Sequence, residues 1–189
     1  MRFMTKRFIE AINGLLEEKE RVIIAIDGRC ASGKTTLANA LKSVIDCNVL
    51  HMDDFFLRPE QRTQERLGTP GENVDHERFL SEVLTPLKKG EEFWYRPFNC
   101  RTMSLDEPVF VPKKAVSVVE GSYCCNKALW DFYDLRVFLT VAPDEQMKRI
   151  VERDGLEYSK VFESKWIPLE ESYFKAFDIE KRCDFIVNM

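Results

Sequence analysis

Residues 25–38 read AIDGRCASGKTTLA, and the organisation of the chain follows from how that stretch is understood. Gly28, four further residues, and then Gly33-Lys34-Thr35 fit the pattern G-x-x-x-x-G-K-[S/T], a phosphate-binding loop. A phosphate is a dispersed anion. Backbone N–H groups leading into a helix N-terminus solvate it without many charges, and glycine lets the backbone curl close to it. Gly28, Ala31, Ser32, Gly33, Lys34, Thr35 and Thr36 are therefore the candidate contacts to the phosphates of ATP. Lys34 would span the β- and γ-phosphates, and the Thr35 hydroxyl would be a ligand for Mg2+.

The flanks support the motif. RVIIAID (21–27) is a short β-branched run expected to form a buried strand, and KTTLANALKSVI (34–45) is expected to be a helix. Upstream, Phe8, Ile9, Ile12, Leu15 and Leu16 recur at helical spacing. Downstream, CNVLHMDD, KAVSVVEG, LRVFLTV and CDFIVN read as further strands, and EEFWYRPF as another short one, with a turn expected near Pro108–Pro112. HERFLSEVLTPL reads as a helix capped by Asp75. PDEQMKRIVERD opens on Pro143 with acids in its first turn, and residues 157–177 look helical with a break near Pro168. Buried strands alternating with helices predict a three-layer α/β fold, a mainly parallel sheet with helices on both faces. A chain of 189 residues is expected to form one domain, 1–189. Residues 59–74 are polar and aperiodic. A connection that long suggests a loop that covers a substrate.

Composition narrows the function. The formal net charge is −4, which argues against a nucleic-acid binder relying on a broad basic surface. No apolar run approaches the ~18 residues of a membrane span, and no signal peptide is evident. Cysteines at 30, 47, 100, 124, 125 and 183 include no C-x-x-C pair. They are expected to be free, buried thiols in a reducing cytoplasm.

In open parallel sheets, ligands bind beyond the carboxyl ends of the strands. Asp53 and Asp54 end one apolar run and Glu120 ends another. Three carboxylates near bound phosphates cannot all serve to attract a polyanion, so at least one should hold magnesium or a proton. Arg149 and Arg153, four apart on a helix, share a face. They could clamp a transferring phosphoryl group or simply form a solvated face.

The order GRCASGKTT, HMDDFF, NVDHERF, WYRPF, VVEGSY, DLRVFLTV, RIVERD and CDFIV resembles the uridine kinase family of P-loop kinases, which is similar to phosphoribulokinase and bacterial pantothenate kinase. The resemblance runs from Val22 to the C-terminus. It implies that Asp53, or else Asp54, takes the proton of the acceptor hydroxyl. It also implies that Asp75 binds ribose hydroxyls, Tyr95 lines the nucleoside pocket, Glu120 helps hold Mg2+, and Arg149 and Arg153 grip phosphates. Arg101 matches a substrate-side arginine, and residues 154–175 match the lid. Two departures stand out: Cys100 falls where the family carries a histidine, and the segment after Asp154 is short. The implied activity is ATP-dependent phosphorylation of a small-molecule hydroxyl, the 5′-OH of uridine or a related nucleoside first. Pantothenate or a sugar derivative as acceptor, and a regulatory ATPase without one, are the alternatives. The family's habit of forming a homo-oligomer carries over to this chain only where an interface supports it.

Overall fold

The computed structural model describes residues 2–189, with side chains from residue 6 onward. Five parallel strands form the central sheet: β1 (Val22–Gly28), β2 (Cys47–His51), β3 (Val116–Glu120), β4 (Leu135–Thr140) and β5 (Phe185–Asn188). Their spatial order is β2-β3-β1-β4-β5. Successive residues of a strand point to opposite faces, and β1 shows the consequence. Val22, Ile24 and Ile26 pack with Phe8, Ile12, Leu37 and Leu41 on one face. Ile23 and Ala25 pack with Leu50, Phe55, Phe79 and Phe138 on the other. A strand buried on both sides must be apolar throughout, which is why it reads as a continuous run.

Helices α1 (Arg2–Glu18) and α2 (Lys34–Lys42) cover the first face. The second is covered by the helical run from His76 to Lys89 and by the helix Ile167–Phe177, through Phe79, Val83, Leu84, Tyr173 and Phe174. The three-layer α/β fold is as expected. Because β1 lies between β3 and β4, the chain departs from it first to one side of the sheet and later to the other. The crevice at such a switch point is where this class of sheet binds ligands.

Local departures from the sequence reading have identifiable causes. The helical runs His76–Lys89 and Leu156–Phe177 each contain one widened π-turn, Leu80–Leu84 and Phe162–Trp166. Each lies just ahead of a proline, Pro86 and Pro168. Proline lacks an N–H and its ring clashes with the carbonyl four residues back. A wider turn absorbs that clash without ending the helix, so the expected break near Pro168 is a bulge. The aperiodic segment 59–74 is not wholly loop. It holds a 3-10 turn, Pro59–Gln61, and a short helix, Gln64–Gly68, whose N-cap Thr63 accepts from the Arg66 N–H. Pro108–Pro112, expected to lie near a turn, follows a bend at Glu107 and carries a strand, Val109–Val111, paired antiparallel with Phe93–Tyr95 and flanked rather than interrupted by its prolines. The expected EEFWYRPF strand is split at Arg96-Pro97. Its second piece, Phe98–Asn99, pairs with Ser104–Leu105. Cys30, Cys47, Cys124 and Cys125 are buried, but Cys183 is only partly so and Cys100, beside the turn of that second ribbon, is exposed.

Candidate active site

The loop after β1 needs its glycines for two separate reasons. Gly28 has φ 132°, and a Cβ there would lie 2.0 Å from the Leu139 carbonyl oxygen of β4. Gly33 has φ 94° in the left-handed region and caps α2, a conformation that costs other residues dearly. The loop therefore curls back under the helix N-terminus. Lys34 is buried, and its Nζ donates to the carbonyls of Gly28 (2.6 Å) and Arg29 (3.0 Å). That holds an ammonium group across the mouth of the loop. The Ser32 hydroxyl is buried without a partner among the described residues, as expected of a donor set built to receive an anion.

The loop opens into a cleft of about 780 Å³. Lys34, Arg62, Arg149, Arg153 and Lys165 line it, against the carboxylates Asp53, Glu120 and Glu170. Five cations against three anions give a local positive balance in a chain whose net charge is −4, which suits a polyanionic ligand. Arg149 donates to the Ala31 carbonyl (3.3 Å) and to Glu145 (2.9 Å). Arg153 lies 5.5 Å from the Phe162 ring centroid and pairs with Asp154. Both reach the cleft, so their shared face looks toward the loop.

At the strand ends the carboxylates separate by environment. The Thr35 hydroxyl lies 3.1 Å from Glu120 Oε1. A hydroxyl and a carboxylate side by side are hard oxygen donors that fit Mg2+. His51 Nδ1 also lies 2.6 Å from Glu120 Oε1, and that bond raises the imidazole pKa above its usual value. Gly121, at φ 136°, lets the chain after β2 come close, since a Cβ there would press on Met52 and Asp53. Asp53 lines the cleft. Asp53 is exposed to the cleft but ringed by protein atoms. That poorly solvating surrounding pushes its carboxyl above the usual range, the Lys34 ammonium pulls it back, and Glu120 pushes it up. Asp54 instead accepts from the Tyr95 hydroxyl (2.8 Å) and does not line the cleft.

The remaining expected residues lie elsewhere. Asp75 is buried, caps the following helix by accepting from the Arg78 N–H (3.2 Å), and faces Arg58 at 3.5 Å. Tyr95 stacks on Phe55 and is tied to Asp54. Neither lines the cleft, and Arg101 is exposed outside it. Arg62 occupies the cleft wall, held by the Leu57 carbonyl (2.8 Å).

Sequence reasoning missed the ties between the loop and the helix Ile167–Phe177. Arg29 binds Glu171 through two nitrogens (2.7 and 3.1 Å). Glu170 accepts from the Cys30 N–H (2.9 Å) and the Ser122 hydroxyl (2.5 Å). Tyr173 donates to Asp27 (2.9 Å). Nothing in an acidic pair on an amphipathic helix marks it in advance as a brace for a loop 140 residues away.

Asp27, fully buried on β1, also accepts from the N–H groups of Gly28 (2.7 Å) and Cys125 (2.9 Å). Burial pushes its carboxyl up to about 6 from an ordinary 3.8, against the pull of those bonds and Lys34. A folded-state value above the unfolded one stabilises the fold below pH 3.8, and that contribution is lost as pH rises through 6. Two units of displacement correspond to ~3 kcal/mol. Urea denaturation of the wild type and Asp27→Asn at pH 4, 5, 6 and 7 should show the wild type losing about that much relative to the variant. A stability difference independent of pH would remove the charge of Asp27 from the explanation.

Known proteins similar to this chain are kinases. The chain is 28% identical over 162 residues to a uridine kinase of Ureaplasma parvum, covering 79% of this chain and 76% of that one. It is 34% identical over 138 residues to nicotinamide riboside kinase 2 of Mus musculus, covering 68% and 66%. Among solved structures, a possible uridine kinase from Bacillus stearothermophilus superposes with a TM-score of 0.66 at 21% identity, over 95% of this chain and 98% of that one. No family model matches the chain. No described helix is long and apolar enough to cross a membrane.

Proposed function

We propose that this chain, which belongs to the uridine kinase family of P-loop kinases, transfers the γ-phosphoryl group of ATP to the 5′-hydroxyl of a nucleoside, uridine or a close relative such as nicotinamide riboside. One observation carries the reading. A phosphate loop, a hydroxyl–carboxylate pair suited to Mg2+, two arginines and a carboxylate all face one cleft at the carboxyl ends of the strands. A regulatory ATPase has no need of the last of these.

Phosphoryl transfer passes through a loose transition state, so positioning and charge stabilisation do most of the catalysis. Lys34 and the loop amides would bind the β- and γ-phosphates, with Arg149 and Arg153 on the outer oxygens. Mg2+, held when bound by Thr35 and Glu120, supplies further charge neutralisation. Asp53 would accept a hydrogen bond from the acceptor hydroxyl, orient it in line, and take its proton as the bond forms. Asp54 and Tyr95 brace the segment that carries Asp53. Arg62 takes the substrate-side place that the resemblance gives to Arg101. The helix Ile167–Phe177 is anchored to the loop, so lid movement would be confined to residues 155–166, beginning at Gly155 (φ 84°).

A coupled assay of ADP release against a panel of nucleosides, pantothenate and hexoses tests the reading. The expected result is stimulation by a nucleoside, with one phosphorylated product per ADP. Hydrolysis at the same rate with and without every acceptor would overturn it.

A further inference from the structure

On the acceptor side of the cleft, one residue is built for a ligand and has no other evident task. Asn73 lines the cleft, is only 7% exposed, and neither its Nδ2 nor its Oδ1 has a hydrogen-bond partner among the described residues. Buried carboxamides are otherwise paired, because leaving a donor and an acceptor unmade forfeits their hydration with no return. The backbone around Asn73 is fixed: Phe56 and Val74 form an antiparallel bridge, and the Asp75 N–H donates to the Phe55 carbonyl (2.7 Å). Asn73 is thereby secured to the segment that also carries Asp53. Arg62 and Cys100 line the same cleft, and the Arg62 guanidinium meets Cys100 Sγ at 3.7 Å.

We propose that Asn73 is a specificity-determining residue whose carboxamide pairs with a neutral group presenting a hydrogen-bond donor and acceptor side by side on the acceptor molecule. A carboxamide offers one donor edge and one acceptor edge in one plane. Two features of a nucleoside match it: the amide edge of a base and the cis-diol of a ribose. An anionic group matches only the Nδ2 edge and would leave the Oδ1 lone pairs facing negative charge. The assignment rests on the nucleoside kinase reading and deepens it.

The test is steady-state kinetics of wild type, Asn73→Ala and Asn73→Asp with uridine, 3-methyluridine and 2′-deoxyuridine, alongside nicotinamide riboside and pantothenate. Methylation removes the base donor, and deoxygenation breaks the diol. In Asn73→Ala the KM for the preferred acceptor should rise about tenfold or more, with the KM for ATP unchanged. Asn73→Asp, which loses the donor and gains a charge, should be at least as impaired. The analogue lacking the group that Asn73 reads should be discriminated against by the wild type and no longer by Asn73→Ala. Loss of discrimination against 3-methyluridine assigns the base, and against 2′-deoxyuridine the diol. Removing an unpaired carboxamide should also leave the melting temperature of the acceptor-free protein unchanged or raised, whereas a structural residue would lower it. Equal discrimination in wild type and Asn73→Ala, or an unchanged acceptor KM, overturns the assignment while leaving the kinase reading intact. If pantothenate alone is phosphorylated, the nucleoside reading falls and Asn73 is judged by its effect on the KM for that acceptor. An ATPase indifferent to every acceptor overturns both.

Discussion

Replacing Lys34 with alanine should lower kcat at least about a thousandfold, measured by coupled assay at saturating ATP and acceptor. The magnitude follows from where the ammonium sits. It is buried, and two loop carbonyls fix its position before any nucleotide arrives. A charge already in place costs no reorganisation as negative charge shifts toward the leaving oxygen, and in a partly dry cleft it is worth far more than in water. The substitution has a second effect in the same direction. Lys34 lowers the pKa of both Asp27 and Asp53, against burial at Asp27 and against the poorly solvating protein around the cleft-exposed Asp53. Without the cation, Asp53 should protonate at higher pH and hold the acceptor less well. Asn or Gln at 34 would keep bulk without charge and should fare no better than Ala. Lys34→Arg keeps the charge, but a planar fork cannot reproduce a compact ammonium held between the Gly28 and Arg29 carbonyls, so it too should lose most activity. A melting curve separates lost catalysis from lost folding. Activity of Lys34→Ala within tenfold of wild type would mean that the loop does not bind the transferred phosphate.

The legible parts of this molecule are those governed by short-range rules. The loop could be read because a phosphate cradle demands glycine at two fixed places and a lysine after the second. The structure shows what each glycine avoids: a collision with Leu139 at Gly28 and a left-handed backbone at Gly33. The strands could be read because burial on both faces leaves no polar alternation. Glu120 could be read because an acid ending such a run must face the crevice. Tertiary pairing, by contrast, leaves little local trace. Asp54 and Asp53 are the same residue type in adjacent positions, and distant partners separate their environments: the Tyr95 hydroxyl, 41 residues away, takes Asp54, while Asp53 faces the cleft. Arg101 and Arg62 were equally basic and equally loop-borne. Which one reaches the cleft depends on how the ribbon Phe98–Asn99/Ser104–Leu105 folds against the segment after Leu57. Asn73 opens the stretch NVDHERF but nothing there assigns it a task, since its proposed role rests on bonds that it does not make among the described residues.

Asp53→Asn should reduce kcat by about a hundred- to ten-thousandfold while leaving ATP affinity within twofold of wild type, as measured by titration with a non-hydrolysable analogue. The side chain lines the cleft next to Gly121 at the end of a neighbouring strand and is not part of the phosphate loop, so its loss should leave the loop's hold on the nucleotide in place. Asparagine keeps the volume and one acceptor atom but cannot receive the proton. The pH profile separates this role from simple positioning. The protein surrounding the cleft-exposed Asp53 raises its carboxyl above the usual range, Lys34 opposes that rise, and Glu120 adds to it. Only the ionised form can accept the acceptor's proton, so the rate should climb as pH rises through that displaced value and then level off. The acid limb should therefore lie at higher pH than for a free carboxylate, and Asp53→Asn should lack it. Asp54→Asn is the matched control. Its carboxylate bonds Tyr95 instead of facing the cleft, so it should lose activity mainly by loosening that segment, and the acid limb should persist. If Asp53→Asn retained wild-type kcat, or if the limb vanished only in Asp54→Asn, the proton would pass through the neighbouring residue and the orientation of the whole acceptor would have to be turned toward Tyr95.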